Sequence, residues 1–200
     1  MSARTILLTL ALSAAPLAAD DPATGVVEGR FEHRFVNQHR PAAVYVERIA
    51  GVEFDAPPEP ARIDQRGQEF VPRVLPVLVG TEVQFGNSDT VRHNVKSAGG
   101  CQPFDVGDFG PGEVRSIVTE SPGVMPISCG VHSAMASFVV VVETPYFAVT
   151  DAKGRFEIAG VPPGEYRLTF WHEKFEPVVA TVRVEAGRRA EVVFRDLVPK

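Results

Sequence analysis

Apolar and polar residues alternate with a period of two along much of this chain. In "TEVQFGNSD", Val83 and Phe85 alternate with Glu82 and Gln84. That pattern predicts a half-buried strand, ended by the turn "GNSD". In "YRLTFW" the same alternation places Tyr166, Leu168 and Phe170 on one face. "GVVEGRFEHRF", "AAVYVERI", "FVPRVLPVLVG", "HNVKS", "VRSIVTE", "RFEI", "ATVRV" and "AEVVF" read as further strands, and "SFVVVVE" as a buried one. "SPG", "DAKG", "VPPGE" and "EAGR" supply the turns between them. The polar, Pro-rich "GVEFDAPPEPARIDQRGQ" and the Gly-rich "GGCQPFDVGDFGPGE" read as loops. The expectation is an all-β chain.

Composition agrees. The 200 residues are 44% apolar, with 17 Gly and 17 Pro, which suits a folded, turn-rich chain long enough for one large domain or two small ones. The formal net charge of -5 is mild, and no cluster of Lys and Arg marks a nucleic-acid surface. The first residues change the picture more. Arg4, the apolar run Thr5 to Leu12 and the small residues Ala14 to Ala19 read as a secretory signal, with cleavage expected after Ala19. The mature chain is then expected to be periplasmic or otherwise secreted, with no membrane span.

Candidate chemistry concentrates in "CGVHSAM". Cys129, His132 and Met135 follow one another at intervals of three, in a chain with only two cysteines and three methionines. Export makes a Cys101–Cys129 disulfide one reading of the cysteines. The other is a metal loop, because a soft ion such as copper favours thiolate, imidazole and thioether. His93, in "FGNSDTVRHNV" and 36 residues upstream of Cys129, is the natural fourth donor. Both readings remain open at this level. His33 and His39 are expected to be surface residues, and His172 a surface or packing residue.

"VLVGTEVQFGNSDTVRHNV" followed by "SPGVMPISCGVHSAMASFVVV" resembles the cupredoxins of the plastocyanin and amicyanin type. Phe85, Asn87, Asp89, His93, Asn94 and Val95 match the first family block. Gly123, Cys129, His132, Met135 and Val139 match the second, with the short Cys-x2-His-x2-Met spacing of amicyanins. The likeness covers residues 70–142. It implies a Greek-key β-sandwich holding one type 1 copper through His93, Cys129, His132 and Met135, with Met135 axial. It also implies that Asn94 ties the two ligand loops together. "ETPYFAVTDAKGRFEIAGVPPGEYRLTFWHE" resembles the carboxypeptidase-regulatory-like, transthyretin-like sandwich. The expected domains are a signal peptide over 1–19, a cupredoxin-like domain over 20–143 and a small β-sandwich over 144–200.

This pairing resembles proteins often labelled methylamine utilization protein. It implies a non-enzymatic periplasmic electron carrier that meets a dehydrogenase or cytochrome transiently. An apolar patch of Pro126, Val131 and Ala134 is expected near His132. The alternative is a copper-carrying or glycan- or envelope-protein-binding module, for which Trp171, Tyr146 and Tyr166 are the exposed aromatic candidates.

Overall fold

The computed structural model describes residues 23–33, 35–195 and 197–200. The signal-peptide reading of 1–19 lies outside them. Sixteen strands and no helix occur among the described residues. They form two sandwiches, each of two sheets.

The first sandwich takes its strands from the middle of the chain. One sheet joins β3 (Ala61–Arg66), β4 (Glu69–Val71), β6 (Glu82–Asn87) and β9 (Val114–Val118) in the order β4-β3-β6-β9. The facing sheet joins β5 (Val74–Leu78), β7 (His93–Ser97), β8 (Phe104–Phe109), β10 (Gly123–Ser128) and β11 (Ala136–Val142) in the order β5-β11-β10-β7-β8. Both sheets are mixed, with β3 parallel to β6 and β5 parallel to β11. Ile63, Val83, Phe85, Val95, Phe109, Met125, Ile127 and Val139 fill the space between them. In β6, Val83 and Phe85 point inward as their alternation required. Two strands lie in segments expected to be loops, β3 within "PARIDQRGQ" and β8 within "PFDVGDF". The flanking Pro and Gly residues end these strands rather than preventing them.

The second sandwich is built from both ends of the described chain. Its sheets are β13-β1-β16 and β12-β2-β14-β15. They comprise β1 (Gly25–Phe31), β2 (Ala43–Val46), β12 (Phe147–Val149), β13 (Arg155–Val161), β14 (Gly164–His172), β15 (Phe175–Val184) and β16 (Arg189–Phe194). β1 runs between β13 and β16, while β2 runs between β12 and β14. This corrects the expected division at 20–143. The early strands complete the later sandwich, and the first sandwich is inserted between β2 and β12. The reason is burial. Val27, Phe31, Val44 and Val46 enter one core with Leu168, Phe170, Phe175 and Phe194. Tyr166 packs against that core, on the face its alternation predicted.

The two sandwiches share a packed seam. Ala43 and Trp171 from one meet Val74, Val140 and Val142 from the other. β11 is therefore buried on both faces, which explains why "FVVVV" lacks alternation. Trp171 is only 5% exposed and packs against Phe138, with ring centroids 5.0 Å apart. It is not an exposed aromatic platform. His172 is fully buried, with its ring nitrogens bonded to the Arg40 carbonyl and the Lys174 N–H. It is a packing residue, as expected of a lone histidine.

Candidate metal centre

Two loops meet at one end of the first sandwich. His93 opens β7, Cys129 directly follows β10, and His132 and Met135 lie in the connection to β11. The β6–β7 turn that delivers His93 is pinned by Asn87. Its amide nitrogen donates to the Val91 and Phe109 carbonyls at 2.9 and 3.2 Å, and its oxygen accepts the Asp89 N–H at 3.0 Å. The ligand loop is closed by the Met135 N–H, which donates to the His132 carbonyl at 3.1 Å.

The structure brings His93, Cys129 and His132 together as one candidate donor group. The Nδ1 atoms of His93 and His132 are 3.1 Å apart. The Cys129 Sγ lies 3.8 Å from the first and 4.0 Å from the second. A point in their plane about 2.0 Å from each nitrogen lies about 2.3 Å from the sulfur, the usual lengths for imidazole and thiolate on a d-block ion. The three atoms thus fit a single ion. Met135 is 2% exposed and lies in the same hydrophobic cluster as Cys129.

Hydrogen bonds fix how these donors face. The His93 ring is wholly buried, and its Nε2 is 2.8 Å from Asp89 Oδ2. A carboxylate only accepts, so Nε2 carries the proton and Nδ1 presents its lone pair to the site. Asp89 also accepts the Gly67 N–H at 2.5 Å and the Gln68 N–H at 2.9 Å. Burial acts to raise the Asp89 pKa, but these donors outweigh it and hold the carboxyl below its ordinary value. The Val131 N–H lies 3.4 Å from Cys129 Sγ, a contact that helps orient the sulfur. Asn94 accepts the Gly130 N–H at 3.2 Å and donates to Asp105 at 2.8 Å, so it does join the two loops. Asp89 was visible in the sequence only as a motif position. Its part depends on a turn that brings a carboxylate back onto the ring four residues later.

Both cysteines are free. The Cys101 N–H bonds the Val124 carbonyl, and a Cβ on Gly123 would come within 2.8 Å of the Cys101 Cβ. Cys101 therefore sits at the start of β10, whereas Cys129 follows its end. Six residues of extended strand separate these points by about 20 Å. A disulfide needs Cα atoms within about 7 Å. Burial pushes the Cys101 thiol up. Val131 is 55% exposed beside His132, and Ala134 and Pro126 are exposed as well. Pro126 stands three residues before Cys129, on the strand rather than in the ligand loop.

The first sandwich thus carries a His-Cys-His donor group on the two-sheet framework that the sequence's resemblance to cupredoxins implied. Residues 132–195 match the carboxypeptidase regulatory-like domain model. That match begins inside the first sandwich and omits β1 and β2, so strand pairing places the junction differently. Among solved structures, a copper-containing nitrite reductase from Thermus scotoductus SA-01 is 27% identical, with a TM-score of 0.42. The match spans 50% of this chain and 25% of that one. A purple cupredoxin from Nitrosopumilus maritimus is 27% identical over 40% of this chain and 98% of its own, with a TM-score of 0.38. A Cu(I) amicyanin mutant is 21% identical over 41% and 81%, with a TM-score of 0.39. No curated protein matches the chain.

Proposed function

We propose that the protein is an exported type 1 copper protein acting in electron transfer, with His93, Cys129, His132 and Met135 as the ligands. The observation that carries this reading is the convergence of two Nδ1 atoms and one thiol sulfur at 3.1, 3.8 and 4.0 Å. Two imidazoles and one thiolate in a plane, with a weak thioether off it, form the donor set of blue-copper sites. Bound copper would supply a one-electron couple. The chain's own residues do the rest. Asp89 holds the His93 tautomer, the Val131 N–H and Asn94 hold the thiolate loop, and Met135 closes the site with an apolar side chain.

His132 is only half-buried and is flanked by exposed Val131. Its ring edge is the exit for the electron, and the small apolar surface around it suits brief docking of a periplasmic dehydrogenase or cytochrome, an amine dehydrogenase among them. The alternative of a glycan-binding module loses its main support with the burial of Trp171. Purified protein loaded with Cu(II) should turn intensely blue by charge transfer from the Cys129 thiolate. Cys129→Ser should bleach it and Cys101→Ser should not. A protein that stays colourless with Cu(II), its thiols reduced, would refute the reading.

A further inference from the structure

The exit of the ligand loop is held from the other sandwich. Arg73, just before β5, donates through Nε to Glu173 Oε1 at 2.9 Å and through Nη2 to Oε2 at 2.8 Å. Its remaining Nη1 donates to the carbonyl of Ala136 at 3.1 Å. Ala136 is the residue after Met135, and Glu173 lies in the β14–β15 turn of the second sandwich. One planar guanidinium thus joins the two. Lysine, a point charge on a flexible stem, lacks this fork.

The surroundings show why this contact matters. The backbone on either side is also tied down: the Arg73 carbonyl accepts the Phe138 N–H at 2.9 Å, and the Ser137 hydroxyl lies 3.0 Å from the carbonyls of both Pro72 and Arg73. The guanidinium carbon stands 5.9 Å from the centre of the Phe138 ring, which packs on Trp171. On the open side is a cleft of about 590 Å³ whose wall includes Arg40, Arg73, Ala134 and Met135. The Met135 side chain is buried in the core, but its turn borders this space on the other side, where hydrogen bonds fix its backbone. The Glu173 side chain is 9% exposed and that of Arg73 29%, so the pair is shielded from competing water.

We propose that Arg73 is a positioning residue for Met135, and that its fork to Glu173 makes the second sandwich a structural part of the metal centre. The inference rests on the copper reading only for its optical consequences. Displacing the Ala136 carbonyl would shift the Met135 turn relative to the other three donors. With copper bound, that would change the thioether's interaction with it and, with it, the potential.

The test uses the full chain and five variants: Arg73→Met, Glu173→Gln, Arg167→Met, Met135→Leu and the double variant Met135→Leu with Arg73→Met. Arg167 pairs with Glu47 within the second sandwich and serves as the control. In the copper-loaded protein, the ratio of the two visible thiolate charge-transfer bands reports the axial ligand. It should shift in Arg73→Met and Glu173→Gln and stay fixed in Arg167→Met. Copper affinity should fall by about tenfold in Arg73→Met. The double variant should show the band ratio of Met135→Leu alone. In the metal-free protein, the amide resonances of Met135 to Ser137 should move in Arg73→Met and Glu173→Gln. Resonances that do not move, or a full additional band shift in the double variant, would overturn the inference. A colourless wild type would instead refute the copper reading alone.

Discussion

Asp89 offers the sharpest test of how the metal site is built. Its carboxylate accepts three donors, the N–H groups of Gly67 and Gln68 and the Nε2–H of His93. In Asp89→Ala all three are lost. The two backbone N–H groups lie near solvent and can turn to water. The His93 ring is 0% exposed and cannot. Leaving that N–H unpaired costs about 1–3 kcal/mol. It also frees the ring to take the other tautomer, in which Nδ1 carries the proton and no longer offers a lone pair. Losing such a partner typically weakens metal binding about 10–100-fold. Asp89→Asn should do less. Its oxygen can take the Oδ2 position and keep His93 and Gln68, while its NH₂ faces the Gly67 N–H and loses only that bond. Copper affinity should therefore fall by about tenfold or less in Asn and by more in Ala. Competition with a chromogenic Cu(II) chelator, followed through the charge-transfer band, measures both. If Asp89→Ala binds as tightly as wild type, Asp89 does not set the His93 tautomer and the account fails.

Three further outcomes follow from the same contacts. A fragment of residues 144–200 should be unfolded by circular dichroism. It lacks Val27, Phe31, Val44 and Val46, whose burial at about 1.5–3 kcal/mol each rivals a domain's whole stability. Joining 23–49 to 144–200 through a short linker should restore a sheet signal. Asn94→Ala removes the acceptor for Gly130 and the donor to Asp105, and should cost about 1–2 kcal/mol in urea unfolding while the blue colour persists at reduced copper affinity. Acid should release the Arg73–Glu173 pair. Burial works to raise the Glu173 pKa, but Arg73, Arg40 and His172, which face it, together hold it below 4.5. The stability that this shift contributes is fully present above pH 4.5 and is lost as pH falls through the lower folded value. Urea unfolding from pH 6 to pH 3 should show that loss in wild type and a flatter profile in Glu173→Gln.

The sequence by itself determined the local part of this protein. Alternation at Val83 and Phe85, and at Tyr166, Leu168 and Phe170, identified strands and their inward faces, because a strand's side chains switch faces at every residue. The spacing of Cys129, His132 and Met135 marked a candidate donor loop, because three donors on one short turn need no long-range information to lie close. The tertiary structure decided what joins distant segments. Alternation says that β1 and β2 bury one face, but not against which sheet, and only the complete set of pairings gives them to the second sandwich. The choice between disulfide and free thiols was set by the length of β10, which holds Cys101 and Cys129 apart. The roles of Asp89 and Arg73 depend on a turn and on a seam between two sandwiches. Charged residues of their kind look alike in a sequence until the fold brings a buried ring to one and a loop carbonyl to the other.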